Sequence, residues 1–264
     1  MTTTETLNLP VRPKSTDSTI SLLDQEDKIP ASAPEPTPAS SSTPRDSTHM
    51  SVSEAILARH SSRLYLPHPV PRDLLTRALS LARHSPSNTN TQVWRLFVVQ
   101  DAALTRLNSA LLTAAALSPP SIPRHPAPFA KYRSALGQTL YGEGWGLSRQ
   151  DKEGHHAAVM RNFEFFGAPV GIVVCMHKDL VGTEALSVGM YVQTLLLALT
   201  EMGVGSCVEI SISGYPEVVK KTVGIREDLV VLCGIAVGFE DGKARVNGIK
   251  MDRDGVEESA VWVE

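Results

Sequence analysis

The chain has few cysteines, few aromatic residues and no long apolar run. Its three cysteines, Cys175, Cys207 and Cys233, are odd in number and widely spaced. They predict reduced thiols rather than a disulfide framework or a zinc site, and no histidine motif accompanies Cys207 to mark it as a nucleophile. No run of apolar residues approaches the roughly 20 that a membrane helix needs. We therefore expect a cytoplasmic protein that spans no membrane and holds no metal ion.

Most of the chain also lacks an excess of basic over acidic residues, or of acidic over basic ones. Of the 25 basic and 28 acidic residues, 4 and 7 respectively lie in the first 50 positions. Residues 51–264 therefore carry 21 charges of each sign and are neutral overall. A neutral body argues against nucleic acid and against an anionic membrane surface as partners.

The first 50 residues lack aromatic side chains and contain seven prolines. Such a segment cannot bury enough apolar surface to offset the entropy lost when it becomes ordered. It has neither the apolar core of a signal peptide nor the acid-poor composition of a mitochondrial transit peptide. We interpret residues 1–50 as a disordered tail and residues 51–264 as one folded domain.

Apolar periodicity in the domain predicts helices that alternate with strands. Helices are expected at 51–59, 67–85, 102–117, 184–203 and 215–224, and strands at 95–101, 169–176, 205–211 and 229–238. A proline-rich loop at 118–128 precedes helical pieces that glycines interrupt, at 129–165. Residues 184–203 are nearly all apolar, which predicts a helix that runs through the core.

Residues 84–94, HSPSNTNTQVW, form a polar stretch between a predicted helix and a predicted strand. Its backbone N–H groups have no regular partners, and Ser and Asn side chains fix such loops by local hydrogen bonds. Two interpretations remain open at this point. The stretch is either a well-capped loop with Trp94 as a core anchor, or a loop whose neutral donors and acceptors suit a planar polar heterocycle.

A second polar stretch, ARHSSR at 58–63, follows the first predicted helix. It places Arg59 and Arg63 on either side of Ser61, and guanidinium groups match the geometry of phosphate oxygens. The pattern is compatible with a phosphate clamp. Two arginines alone are more often a solvated basic face, so this alternative also stays open.

Six stretches, taken in order along residues 51–264, resemble the FMN-dependent nitroreductase family. They are RHSSR (59–63), PHPVPRDLL (67–75), SPSNTNTQVWRLFVV (85–99), NFEFFGAPVGIVV (162–174), MYVQTLLLALTEMGVGSC (190–207) and VNGIKMDR (246–253). The resemblance implies an α+β fold with a central mixed β-sheet wrapped by helices. It also implies an intertwined homodimer that binds FMN non-covalently at the dimer interface.

The resemblance further implies which residues contact the cofactor. The segment that grips the ribityl phosphate and the pyrimidine edge matches Arg59, His60, Ser61 and Arg63. The loop that the partner subunit contributes matches Pro86, Ser87, Asn88 and Asn90. The turn whose backbone approaches flavin N5 matches Glu209, Ile210 and Ser211. The C-terminal phosphate ligands match Lys250 and Arg253.

The implied activity is that of an oxidoreductase that takes hydride from NADH or NADPH and reduces nitroaromatic or quinone-type acceptors by a ping-pong mechanism. The flavin carries this chemistry, and Arg63 is expected to stabilise the charge that develops at flavin N1–O2 on reduction. Four aromatic residues are expected either to line the acceptor pocket or simply to pack the helices: Phe129, Tyr132, Tyr141 and Trp145. Two alternatives are a flavin-dependent dehydrogenase or oxidase of a biosynthetic metabolite, and a non-catalytic flavin-binding protein.

Overall fold

Four strands pair into an antiparallel sheet in the order β1–β2–β4–β3. The computed structural model of the chain describes residues 50–264, so the predicted tail lies outside the described residues apart from Met50. The strands are β1 (Arg95–Gln100), β2 (Val170–His177), β3 (Gly205–Glu209) and β4 (Leu229–Gly238). Central β2 is buried along nearly its whole length, as expected for a strand that helices cover on both faces.

Seven α-helices surround this sheet within the described residues. They are α1 (Val52–Ala58), α2 (Arg72–Ala82), α3 (Asp101–Leu117), α4 (Ala130–Gly137), α5 (Lys152–Met160), α6 (Val181–Glu201) and α7 (Pro216–Val223). Most bounds agree with the sequence-based expectation to within a few residues. β3 ends at Glu209 rather than at residue 211, because a 3₁₀ turn over Ile210–Gly214 follows it.

The predicted α+β class is confirmed. The sheet was expected to be mixed, but its four strands are all antiparallel to their neighbours. Each of the three strand pairings runs antiparallel. Within residues 50–264, parallel pairing is limited to an isolated bridge between Ser61 and Ser206. The physical reason is that the ARHSSR stretch meets β3 at one point and then turns away, so it adds a contact to the sheet edge rather than a strand.

The two faces of the sheet bury different helices. On one face, Leu195 and Leu199 of α6 pack with Leu75 of α2 and with Ile172 of β2 in one hydrophobic cluster. On the other face, α3 and α7 form a second cluster around Phe165, the largest side chain that is fully buried. The core therefore has two layers, and α6 is the main element of the first.

α6 confirms the prediction of a helix that runs through the core. By length and composition alone it is the one helix of the described part that is apolar enough to cross a membrane. Its Tyr191 stacks on Trp94 with 4.6 Å between ring centroids, and Leu195 and Leu199 are buried, so one face of α6 packs against protein. The helix ends at Glu201, and Gly203 follows with a φ of 73°, in the left-handed region that favours glycine just beyond a helix.

Candidate functional site

The ARHSSR stretch leaves α1 and passes the outer edge of β3. Arg59 ends α1 with a non-helical backbone. Beyond it, the Ser62 N–H donates a hydrogen bond to the Ser206 carbonyl at 3.0 Å. This places Ser61 and Ser62 beside Ser206, the second residue of β3, so the structure brings together two of the segments that the resemblance assigned to the cofactor.

His60 fastens this stretch to the residue that follows β4. Its Nδ1 lies 2.9 Å from the Ala58 carbonyl and its Nε2 lies 2.8 Å from Oε2 of Glu240. The Ser62 hydroxyl donates to the same Glu240 oxygen at 2.6 Å. Both ring nitrogens of His60 are thus bonded within the chain, so its side chain shapes the segment.

Asn247 connects the same stretch to the C-terminal segment. Its Oδ1 accepts hydrogen bonds from the N–H groups of Arg63 and Leu64, at 2.7 and 3.2 Å. Its Nδ2 donates to the carbonyls of Leu64 and Asp241, at 2.7 and 3.0 Å. Lys250 follows only three residues later, within about 11 Å of chain, so the predicted C-terminal phosphate ligand lies in reach of the ARHSSR stretch.

Two cations of this region are free to bind an anion. Within residues 50–264, neither the half-buried Arg59 guanidinium nor the exposed Lys250 ammonium has a hydrogen-bond or ion-pair partner. Arg253 differs, because its Nη1 donates to the carbonyls of Met251 and Asp252 at 2.9 and 3.1 Å. The arrangement therefore favours Arg59 and Lys250 over Arg253 as phosphate ligands.

Glu209 and Ser211 bring unsatisfied polar groups to the end of β3. Both carboxylate oxygens of Glu209 and the hydroxyl of Ser211 are buried without a hydrogen-bond partner in the described part of the chain. Burial raises the pKa of Glu209 well above its usual range, against the opposing charge of Arg63. The side chain of Ile210 between them is about half exposed. Unpaired buried groups in native proteins commonly mark a functional site, and this one adjoins the arginine stretch.

Replacing Glu209 by Gln is expected to change how the free energy of unfolding depends on pH. Relative to wild type, the variant should become more stable as pH rises. Because the pKa of Glu209 is raised in the folded state, this carboxyl keeps its proton there at pH values above 4.5. In the unfolded state the same carboxyl has its ordinary pKa of 4.5 and releases the proton. Wild-type stability therefore falls as pH rises above this value, by up to about 1.4 kcal/mol per pH unit. Urea unfolding at a series of pH values should show the stability of Glu209→Gln gaining on wild type as pH rises. The exposed control Glu153→Gln should track wild type; equal pH slopes for Glu209→Gln and wild type would contradict the assignment.

The HSPSNTNTQVW stretch runs along α6 between Glu184 and Thr194. Ser85 donates to the Thr194 hydroxyl at 2.9 Å, and Trp94 is the core anchor that one interpretation expected. Asn88 donates through Nδ2 to Oε1 of Glu184 at 2.9 Å. Glu184 was not among the residues predicted from the sequence, although an acid within a nearly all-apolar predicted helix is a signal that the sequence offers.

The backbone of this loop holds an uncommon conformation. Thr89, Asn90 and Gln92 have φ angles of 48°, 56° and 46°, in the left-handed region that non-glycine residues seldom occupy. The Ser87 hydroxyl accepts the Gln92 N–H at 3.0 Å and so closes the loop. Such strain persists only where surrounding bonds hold it, and it clusters at functional sites. Pro86, Asn88 and Asn90 are exposed, so the loop presents a fixed polar surface.

The two halves of the predicted site lie at opposite ends of α6 within one chain. The Asn88 loop contacts Glu184, whereas Ala58, His60 and Ser62 share a cavity with Thr200. Glu184 and Thr200 are 16 residues apart, or about 24 Å along the helix.

The four aromatic residues occupy different environments. Burial raises the pKa of Tyr141, and the charge of Arg63 opposes this, which places Tyr141 near the site. Trp145 packs against the second core cluster with the Arg161 guanidinium over its ring. Phe129 and Tyr132 are exposed. Of the four, Tyr141 is the one whose pKa is opposed in its rise by the charge of Arg63.

Comparison with known proteins defines the class of this fold and site. The Nitroreductase family model matches residues 56–239, and the chain belongs to this family. A 4-nitrobenzoate reductase from Pseudomonas putida is 32% identical over 206 residues, covering 75% of this chain and 89% of that protein.

Two solved structures are similar over their whole length. The FMN and NADPH-dependent nitroreductase NfnB from Sphigopyxis sp. strain HMH is 30% identical, with a TM-score of 0.78 over 81% of this chain and 100% of that one. The FMN-dependent nitroreductase NfnB from Mycobacterium smegmatis, in complex with NADPH, is 30% identical, with a TM-score of 0.75 over 81% of this chain and 98% of that one. These relatives confirm the resemblance that the six sequence stretches indicated.

Proposed function

We propose that this chain is an FMN-dependent oxidoreductase that takes hydride from NADH or NADPH and reduces nitroaromatic or quinone-type acceptors by a ping-pong mechanism. The observation that carries the proposal is that the ARHSSR stretch pairs with β3, whose end holds buried polar groups without a hydrogen-bond partner, and that Arg59 in this stretch has a guanidinium without a partner, both within residues 50–264. The named functions of the nitroreductase relatives support the same assignment. Its location is proposed to be cytoplasmic.

The residues of the site suit FMN in charge and in polarity. Arg59 and Lys250 supply cations for a phosphate. Ser211 and the turn after β3 supply polar groups that a ring with N and O atoms can satisfy. Ser61, the His60 backbone and the Pro86–Asn90 loop complete the proposed contacts, with Arg253 as a weaker candidate.

When bound, FMN supplies the acceptance and delivery of hydride. The chain binds and orients it, and Arg63 provides a cation for the negative charge that accumulates on reduction. Burial favours the neutral form of Glu209, so this acid does not cancel the charge of Arg63. Tyr141 lies near the same cation and is proposed to border the acceptor pocket, whereas the packing of Trp145 gives it a structural role.

A homodimer with FMN at its interface is the assembly that we propose. The separation of the two half-sites along α6 supports it, because two-fold symmetry lets each chain complete the other's site. Exposed apolar side chains support it further: Leu57 of α1 is 85% exposed and Leu186 of α6 is 73% exposed.

A direct assay distinguishes this function from its alternatives. The FMN-loaded protein is mixed with NADPH or NADH, and oxidation of the nicotinamide is followed with and without 4-nitrobenzoate. A reductase shows nitroaromatic-dependent oxidation. FMN binding with slow reduction by either nicotinamide would contradict the proposal and favour a metabolite oxidase or a non-catalytic flavoprotein.

Removal of the N-terminal segment is expected to leave the activity intact. We propose residues 51–264 as the complete FMN-binding domain, since the family match begins at residue 56 and all proposed contacts lie beyond residue 58. A variant without residues 1–48 should retain flavin content and nicotinamide oxidation within about twofold of the full chain, a margin that corresponds to less than 0.5 kcal/mol. A large loss of either quantity contradicts the proposed boundary.

A further inference from the structure

Glu184 is a buried carboxylate that the proposed function leaves without a role. It lies in the first turn of α6, beneath the Pro86–Asn90 loop, and only 3% of its surface is exposed. It accepts hydrogen bonds from Asn88 Nδ2 at 2.9 Å, the Ser187 hydroxyl at 2.9 Å and the Thr91 hydroxyl at 3.3 Å. The bond from Asn88 is the largest cause that lowers its pKa, ahead of that from Ser187, so the group is ionised at neutral pH.

The charge of Glu184 fixes which way the Asn88 amide faces. An ionised carboxylate only accepts hydrogen bonds, so Asn88 must direct its NH₂ group at Glu184 and its Oδ1 away from it. The reverse orientation would set two acceptor oxygens against each other. In the described part of the chain Asn88 Oδ1 has no hydrogen-bond partner, and the residue is exposed. The loop therefore presents a carbonyl acceptor of defined orientation.

We propose that Glu184 is a positioning residue that turns the Asn88 carbonyl oxygen toward the cofactor and thereby selects a ligand edge that carries an N–H donor. The inference rests on the proposed function. Oxidised FMN has one ring N–H group, the imide N3–H between two carbonyls, and it is the matching donor. Under two-fold symmetry the Glu184–Asn88 pair of one chain serves the flavin held by the arginines of the other.

The pair gives a specific pattern of variant effects on flavin affinity. Glu184→Gln has nearly the same shape, but its amide offers both a donor and an acceptor, so the orientation of Asn88 is no longer enforced. The dissociation constant for FMN should rise about 3- to 10-fold, the value of one neutral hydrogen bond. If Glu184 acts through Asn88, Glu184→Gln should have no further effect in the Asn88→Ala background.

Fluorescence titration of the flavin-free protein with FMN measures these constants. Wild type, Glu184→Gln, Asn88→Ala and the double variant are compared, with the exposed Glu153→Gln as control. Non-additive losses support the inference. Wild-type affinity in Glu184→Gln overturns it, and so do additive losses, which would give Glu184 a general structural role.

A flavin analogue tests the proposed chemistry separately. FMN methylated at N3 lacks the imide donor, so wild type should bind it less tightly than FMN. This discrimination should shrink in Glu184→Gln and in Asn88→Ala, whereas Glu153→Gln should keep it. Undiminished discrimination in both site variants overturns the pairing of Asn88 with the imide.

Side-chain amide NMR keeps the inference testable even if Glu184→Gln does not fold or wild type binds no FMN. In flavin-free wild type, the hydrogen bond to the Glu184 carboxylate should shift one Asn88 NH₂ proton downfield and protect it from exchange. The signal of this proton is assigned by its absence from the spectrum of Asn88→Ala. An unperturbed, freely exchanging amide overturns the positioning role. Failure of wild type to bind FMN would instead overturn the proposed function, so the two failures are distinguishable.

Discussion

Co-refolding of two binding-deficient variants, Arg59→Ala and Asn88→Ala, is expected to restore wild-type FMN affinity to about a quarter of all sites. Each variant alone should bind FMN more weakly than wild type, because one removes a phosphate cation and the other the Asn88 acceptor. The FMN concentration is therefore set between the dissociation constants of wild type and of the variants. In a mixed dimer, one site carries both defects and the other carries neither. Random reassortment of equal amounts makes about half of the dimers mixed, which gives the expected fraction.

Flavin absorbance after gel filtration of the refolded mixture measures the restored fraction. Each variant refolded alone is the control for residual binding, and differently tagged chains verify that mixed dimers form. Mixed dimers that stay colourless would show that Arg59 and Asn88 belong to the same site of one chain. That result would contradict the interface site, despite the separation of the two halves along α6.

Replacement of Arg63 by Ala is expected to lower the flavin midpoint potential by about 30 to 60 mV. For a two-electron couple, this shift changes the equilibrium constant for flavin reduction by about 10- to 100-fold. The reason is the loss of a cation beside the charge that reduction creates. Arg63 also opposes the raised pKa of Glu209, which shows that its field reaches the end of β3.

Redox titration of the FMN-loaded variant with an indicator dye measures the potential, and stopped-flow reduction by NADPH should be slower than in wild type. Arg72→Ala, on the exposed surface of α2, is the control with an unchanged potential. If the potential of Arg63→Ala equals that of wild type, Arg63 contributes to binding alone.

Most elements of the fold follow from local apolar patterns. The period of α6 and the continuous apolar runs of β2 and β4 predicted elements that the structure confirms. The antiparallel character of the sheet did not follow, because strand direction depends on how distant segments meet. A single stretch such as ARHSSR does not reveal whether it adds a strand or only a bridge.

The candidate site was predictable in its loops and arginines but not in its supporting groups. Asn88 and Glu184 are 96 residues apart, and His60 and Glu240 are 180 apart. The sequence alone does not show which residue hydrogen-bonds to an isolated acid such as Glu184, because the two residues meet only when the chain folds. Asn247 is a similar case, since three of its side-chain hydrogen bonds reach Arg63 and Leu64, which lie at least 183 residues earlier in the chain.

The structure also separates residues that the resemblance grouped together. Arg59 and Lys250 are unpaired in the described residues, while the His60 ring and Arg253 already bond within the chain. Tyr141 lies near Arg63, but Phe129 and Tyr132 lie on the exposed surface. Sequence similarity assigns a cofactor contact to a whole segment. The role of each residue in that segment depends on the partners of its side chain, which are known only from the fold.

The absorption spectrum of the purified protein, after incubation with FMN and removal of free flavin, shows whether the chain binds the cofactor. We expect a bound flavin spectrum with about one FMN per chain, the stoichiometry of two symmetric interface sites per dimer. Anaerobic addition of NADPH or NADH should bleach this spectrum, and 4-nitrobenzoate should restore it. A protein that stays colourless after reconstitution, or a bound flavin that neither nicotinamide reduces, would contradict the proposed function.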